Sequence, residues 1–267
     1  MGPIEALVCD LDGVVYRGPA AVPHAVEVLR SVTVPIRYAT NNASRTPDAV
    51  AEHLRSLGLD VKAADVITSA QAGAAAIAER LPGARVLAIG GEGVHHALLE
   101  AGLETTSRSD GADAVLQGYG SRVCAADLAE AAYAVRAGAW WVATNTDTTL
   151  PSDRGLAPGN GALIRAVELA TGRSPDRVCG KPSPDLYLVA SDSLGIEPAR
   201  ILAVGDRLDT DVEGANAAGM PSVLVLTGVA DRAAVRTATP AQRPSLIIDD
   251  LRGLPGVVPT STPRALG

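Results

Sequence analysis

Asp10 and Asp12 stand one residue apart at the end of a short apolar run, Ala6 to Cys9, and Gly13 follows them. On an extended chain, residues i and i+2 point to the same face. The pattern therefore predicts two carboxylates over one small volume, with Leu11 turned into the core. Carboxylates that close repel each other unless a cation or a shared proton intervenes, and a buried unpaired charge is costly. The same residues also fit a solvated strand end followed by an Asp-Gly turn. Three further apolar runs end in polar groups: Val34 to Ala39 in Thr40-Asn41-Asn42, Val178-Cys179 in Gly180-Lys181-Pro182, and Ile201 to Val204 in Gly205-Asp206. Asp10, Asp12 and Asp206 offer hard oxygen ligands without a histidine or cysteine cluster, a set suited to Mg2+. Lys181 adds a fixed cation, and Thr40 and Asn41 add donors for phosphate oxygens. This inventory suits phosphoryl transfer, where catalysis is mostly positioning and charge stabilisation. Asp10 could be a nucleophile that forms an aspartyl-phosphate. Asp12 could then protonate the leaving alcohol and later deprotonate water.

These groups need a scaffold that brings strand ends together. Apolar runs at 5–10, 34–40, 66–67 and 201–205 alternate with helical patterns at 23–31, 47–57, 69–81, 184–194 and 210–218. Such alternation predicts βαβ units and a parallel sheet, which gathers ligands outside the carboxyl ends of its strands. Pro82-Gly83 breaks the series. A second alternation follows, with strands at 85–89, 114–116 and 139–143, helices at 94–101, 125–137 and 161–171, and a loop over 145–160. None of its strands ends in a carboxylate-plus-glycine site. The predicted fold class is α/β, a Rossmann-like parallel-sheet core formed by residues 1–81 and 176–267. An α/β cap domain, residues 82–175, is inserted into it. Ile247-Ile248 reads as an edge strand, and the Pro/Thr-rich tail after Val258 as disordered.

Composition narrows the class. The 267 residues contain 47% apolar residues but no Phe, so the core must be aliphatic. The net charge of -7, with no Lys/Arg run, argues against a nucleic-acid partner. The three cysteines are far apart and odd in number, which suggests a reducing compartment, and no signal peptide is apparent. No uncharged apolar stretch of about 18 residues suggests a membrane span. The expected location is cytoplasmic. Only Lys62 and Lys181 are lysines among 23 Lys and Arg, which sets Lys181 apart where a compact ammonium is wanted.

In their order and wording, Asp10-Leu11-Asp12-Gly13, Thr40-Asn41-Asn42, Gly180-Lys181-Pro182-Ser183-Pro184 and Gly205-Asp206-Arg207-Leu208-Asp209-Thr210-Asp211 resemble the motifs of haloacid dehalogenase superfamily phosphatases. Thr40 to Thr46 and Leu226-Thr227-Gly228-Val229 look like the subfamily with a large α/β cap. It includes p-nitrophenylphosphatases, 2-phosphoglycolate phosphatases and glycerol-3-phosphate phosphatases. The resemblance implies a Mg2+-dependent phosphatase of small phosphorylated metabolites, such as glycerol 3-phosphate or 2-phosphoglycolate. It implies Asp10 as nucleophile and Asp12 as acid/base. It implies a metal held by Asp10, Asp206 and the backbone oxygen of Asp12, and phosphate held by Thr40, Asn41 and Lys181. Asp211 would support the metal from behind. The cap would supply a specificity loop near Tyr119, Ser121 and Arg122, where this chain departs from the aspartate common among relatives. Homodimerisation through the cap is common in the subfamily. A phosphotransferase using the same intermediate, and a phosphometabolite-binding protein without catalysis, are the alternatives.

Other motifs have structural readings. Asp209 reads as an N-cap for the helix at 210–218. Gly90-Gly91-Glu92-Gly93 looks like a dinucleotide fingerprint, but His96 stands where its third glycine belongs. Pro158-Gly159-Asn160-Gly161 reads as a helix N-cap. Asn145 and Asp147 match a cap motif of the subfamily and are also turn formers. The four histidines lack ligand spacing, and Trp140 and Trp141 read as core.

Overall fold

The computed structural model describes residues 2–152 and 154–261, with two compact units. The first comprises residues 1–40, 48–67 and 181–267, and the second residues 41–47 and 68–180. Among the described residues, no helix is long and apolar enough to cross a membrane.

The first unit is built on a six-stranded sheet. Its strands run in the order Leu246–Ile248, Ser222–Val225, Ile201–Gly205, Ala6–Asp10, Ile36–Thr40 and Val66–Thr68. The pairings from Leu246–Ile248 across to Ile36–Thr40 are parallel. Ala6–Asp10 is buried along its whole length, as expected of an apolar strand covered on both faces. Strand order grows one way from Ala6–Asp10 through Ile36–Thr40, and the other way through Ile201–Gly205 and Ser222–Val225. The topological switch point lies between Ala6–Asp10 and Ile201–Gly205, where an open α/β sheet leaves a crevice for ligands. Leu7, Cys9, Leu11, Leu29, Leu54, Leu202 and Val204 belong to one aliphatic core that supports this edge.

The second unit has a five-stranded parallel sheet in the order Arg177–Val178, Trp140–Ala143, Ala114–Gln117, Arg85–Ile89 and Glu104–Thr106. Its core includes Leu87, Ile89, Val115, Val135, Trp141 and Ile164. Trp141 is fully buried, and its indole N–H reaches Gln117 Oε1 at 3.1 Å. Trp140 is half-buried, with the Arg80 guanidinium 4.8 Å from its ring centre.

Several boundaries differ from the sequence reading. The second unit begins at Thr68 and runs to Gly180 after its 41–47 segment, rather than spanning 82–175. The Ala-rich helix Ser69–Arg80 belongs to it, because small side chains let that helix lie close. At Gly73 a Cβ would overlap the Leu116 side chain of the second unit's sheet. Arg177–Val178, expected in the first unit, extends the five-stranded sheet of the second instead. The 145–160 loop contains an antiparallel hairpin, Thr149–Ser152 with Gly155–Pro158, that its Pro, Thr and Gly content concealed. Glu104–Thr106 is a half-exposed edge strand too short to show periodicity. The expected helix at 210–218 is a π-helical turn, Leu208–Val212, running into a short α-helix, Glu213–Ala217. The start of the tail expected to be disordered is held. Thr33 N–H donates to Pro259 O at 3.1 Å, and Ser261 N–H to Ser31 O at 2.7 Å. The tail beyond 261 lies outside the described residues.

Candidate active site

Asp10, the last residue of the central strand, is almost buried, and Asp206 follows the end of the neighbouring strand Ile201–Gly205. The parallel register of those strands, Cys9 opposite Val204, brings the two carboxylates to one rim. Asp211 joins them from the π-helical turn. One ligand oxygen from each of Asp10, Asp206 and Asp211 lies within 4.8 Å of the others. Lys181, only 5% exposed, donates to Asp10 Oδ1 and to Asp211 Oδ1, the latter at 2.7 Å. Its ammonium also lies 3.5 Å from Ala39 O, one residue before Thr40. Thr40 ends its strand on the same rim and is buried.

The charges do not balance within this cluster. Three carboxylates face one ammonium. Burial pushes the Asp10 carboxyl well above the usual carboxylate range, against the pull of Lys181. Burial and then Asp211 push Asp206 up to about 6, opposed by the Val229 N–H, Lys181 and Arg207. Burial disfavours the charge on Lys181, but Asp10 and Asp211 outweigh it and keep the ammonium protonated. A buried, all-oxygen cluster with surplus negative charge and no soft ligand is what a divalent hard cation compensates. The residues therefore fit Mg2+, with Asp10, Asp206 and Asp211 as the carboxylates available to it.

Glycines make this density possible. A Cβ on Gly228 would overlap the Asp206 carboxylate, as would one on Gly13, and a Cβ on Gly205 would overlap the Asp211 side chain. Gly13 also needs its positive φ of 81° to turn the chain away after Asp12. Asp211 Oδ2 accepts from the backbone N–H groups of Asp206 and Arg207 at 3.1 and 3.0 Å, closing the loop that presents Asp206.

The sequence placed several of these residues differently. The central strand ends at Asp10, and Leu11 O then accepts from the N–H groups of Val14, Val15 and Tyr16. The alternation rule stops there, so the Asp12 side chain is exposed and stands outside the acidic cluster. The third clustered carboxylate is Asp211. The N-cap position is Arg207 rather than Asp209, whose exposed carboxylate accepts from the Arg207 guanidinium at 3.0 and 2.8 Å. Thr227, Gly228 and Val229 carried no role in the sequence reading. Their signal was position, directly after a buried strand two places from the central strand Ala6–Asp10. Tyr187 was also missed; it is buried, and its hydroxyl donates to Asp211 O at 3.1 Å.

In the second unit, Asn41 O accepts from Ser69 Oγ at 2.6 Å and from Asn145 Nδ2 at 2.8 Å. Asn41 Nδ2 reaches Asp147 Oδ2 at 3.5 Å. Asn145 and Asp147, which could have been mere turn formers, thus hold Asn41 in place. Tyr119 is half-buried, and its carbonyl accepts from Gly91 N–H at 3.0 Å. Ser121 and Arg122 are exposed. The Gly90–Gly93 run has a packing reason: a Cβ on Gly91 or Gly93 would overlap the backbone of Ala43 to Arg45. Gly159 is the N-cap of helix Asn160–Thr171, as the sequence suggested.

Residues 7–104 match the family of haloacid dehalogenase-like hydrolases, and residues 178–254 match a second family described as HAD-hydrolase-like. A D-glycerol 3-phosphate phosphatase of Mycobacterium tuberculosis is 48% identical over 252 residues, 94% of this chain and 70% of the relative. An acid sugar phosphatase of Staphylococcus aureus is 39% identical over 232 residues, 86% of this chain and 89% of its own. The crystal structure of the Mycobacterium glycerol phosphate phosphatase in complex with magnesium superposes with a TM-score of 0.91, covering 94% of this chain and 77% of that one. The p-nitrophenyl phosphatase from Archaeoglobus fulgidus, 31% identical, superposes with a TM-score of 0.87 over 96% of this chain and 100% of its own. The chain belongs to the haloacid dehalogenase-like hydrolases and is a phosphoric monoester hydrolase.

Proposed function

We propose that this phosphatase hydrolyses a small polyol phosphate, glycerol 3-phosphate foremost, through an aspartyl-phosphate on Asp10. The observation that carries the chemistry is the buried contact of Lys181 with Asp10 and Asp211 at the switch point of the sheet. A carboxylate oxygen of Asp10 attacks phosphorus, and the bond from phosphorus to the alcohol oxygen breaks. Asp12, exposed beside the strand end, gives its proton to the departing oxygen. Water then attacks phosphorus, Asp12 takes its proton, and the Asp10–phosphorus bond breaks to release inorganic phosphate. Lys181 neutralises charge on the phosphoryl group, and Thr40 and Asn41 donate to its oxygens. Asp10, the backbone oxygen of Asp12 and Asp206 would hold Mg2+, supported by Asp211. Bound Mg2+ supplies positive charge that offsets the phosphoryl oxygens.

The choice of substrate rests on the 48% identity to a D-glycerol 3-phosphate phosphatase. Tyr119, Ser121 and Arg122 form the loop we assign to selection, and the exposure of Ser121 and Arg122 supports that assignment. A homodimer formed through the second unit is supported by its exposed Tyr133 and Leu169, 60% and 84% accessible. Three free cysteines support a cytoplasmic location.

The test is phosphate release from glycerol 3-phosphate, 2-phosphoglycolate, sugar phosphates and p-nitrophenyl phosphate, with Mg2+ and with EDTA. Glycerol 3-phosphate should lead in kcat/KM by more than about tenfold, roughly 1.4 kcal/mol of transition-state binding. Equal turnover of the whole panel would remove the substrate assignment and leave only a general phosphatase.

A further inference from the structure

The loop after strand Ser222–Val225 touches both halves of the catalytic rim. Thr227 Oγ donates to Gly13 O at 2.7 Å, across a separation of 214 residues. Two residues later, Val229 N–H donates to Asp206 Oδ2 at 2.7 Å, and Ala230 N–H donates to Asp206 O at 3.0 Å. Between them, Gly228 lies so close to Asp206 that any side chain would overlap its carboxylate. A Cβ on Gly13 would stand 3.1 Å from Gly228 Cα. On its other side the loop is tied down by Leu226 N–H donating to Ile248 O at 3.0 Å. One short segment therefore holds the turn that follows Asp12 with a side chain and the Asp206 carboxylate with its backbone.

We infer that Thr227 is a positioning residue that locks the Asp12–Gly13 turn to the loop carrying Asp206. This inference rests on the proposed roles of Asp12 and Asp206. Gly13 O is the carbonyl immediately after the acid/base residue, and Gly13 is an intrinsically mobile residue in a left-handed conformation. Within the turn, Gly13 N–H donates to Tyr16 O at 2.8 Å and three N–H groups converge on Leu11 O, all of them local bonds. Leu11, Val14 and Val15 anchor the turn in the core it shares with Leu202 and Val204, but that packing is apolar and sets no polar tie to the loop that bonds Asp206. The Thr227 hydroxyl supplies a directional bond between the turn and that loop. Thr227 does not touch the reacting atoms; it acts through Asp12 and through the metal-facing carboxylate.

The experiment compares Thr227→Val, which removes the hydroxyl at nearly constant shape, with Thr227→Ser, which keeps it. Three readouts are taken on the full chain: Mg2+ binding to metal-free protein by calorimetry, kcat and KM separately, and thermal stability. Thr227 is half-buried and its replacement keeps the shape of the side chain, so Thr227→Val should fold and melt near wild type. One hydrogen bond of this kind is worth about 0.5–1.5 kcal/mol, so Mg2+ affinity and kcat should each fall by roughly two- to tenfold, with KM little changed. Thr227→Ser should restore both. If Thr227→Val binds Mg2+ and turns over as wild type does, the inference is overturned. It is also overturned if both variants lose activity in step with a lowered melting temperature. An Asp12→Asn control separates this from failure of the underlying reading: if that variant keeps full kcat, the assignment of Asp12 is what fails.

Discussion

Removing the ammonium of Lys181 isolates the electrostatics of the site. Lys181→Met keeps the length and apolar stem of the side chain and deletes its charge. Its amine bonds Asp10 and Asp211, and the residue is 5% exposed. Deleting it leaves three buried carboxylates facing one another without a cation. Breaking a buried ion pair by removing one partner costs about 3–5 kcal/mol, because the remaining charge is uncompensated. For a chain of this length, that corresponds to a fall in melting temperature of roughly 6–20 °C. The loss must depend on pH. Burial already raises Asp10 and Asp206, the latter to about 6 from an ordinary 3.8. A carboxyl raised on folding adds stability that is full below its unfolded value and lost as pH rises through its folded value. With Lys181 gone the carboxyls rise further, so the variant should lose most stability at neutral and alkaline pH and approach wild type near pH 4. Mg2+ should recover more stability in the variant than in wild type, although turnover collapses. Thermal melts of metal-free and Mg2+-loaded protein across pH 4 to 9 read all of this. A pH-independent loss, or a loss below about 1 kcal/mol at pH 8, would refute the view of Lys181 as counter-ion to this cluster.

Three further outcomes follow from the same geometry. Gly228→Ala would press a methyl group into the Asp206 carboxylate, so it should cost about 1–3 kcal/mol of stability and weaken Mg2+ binding by calorimetry. Mg2+ affinity should fall as pH drops through about 6, because Asp206 must lose its proton to serve as a ligand; titrations at successive pH values would show an affinity flat across that range if the assignment were wrong. Asp12→Asn should lower kcat by about 10²–10⁴ while leaving Mg2+ binding near wild type, since its carboxylate stands outside the acidic cluster.

The sequence made the fold legible where strands were apolar and ended in unusual residues. Asp10, Thr40, Lys181 and Asp206 each follow a buried run, and the structure places all four in the first unit. Asp211 and Asp12 were harder to place. Alternation along a strand predicts that residues two apart share a face, but it cannot foresee where the strand stops, and this one stops at Asp10. Asp211 reaches the cluster because a π-helical turn, not an N-capped α-helix, follows Asp206, and that depends on Asp211 accepting two backbone N–H groups. Thr227 acts through one long-range hydroxyl bond and Gly228 through close backbone approach, neither of which leaves a periodic trace in a sequence. The boundary of the second unit differs for a similar reason: the Ser69–Arg80 helix reads equally well on either side of it, and in the structure it lies in the second unit with Gly73 fitted against Leu116.

The nucleophilic role of Asp10 is the centre of this account, and acid-quenched single turnover with peptide mapping by mass spectrometry tests it most directly. Enzyme in excess over glycerol 3-phosphate, with Mg2+, should carry the mass of one phosphoryl group on the peptide containing Asp10. That adduct should be labile in alkali, appear before free phosphate, and be absent in Asp10→Asn. Product formation without any adduct on that peptide, or wild-type turnover by Asp10→Asn, would contradict the account and leave Asp10 as a metal-facing carboxylate alone.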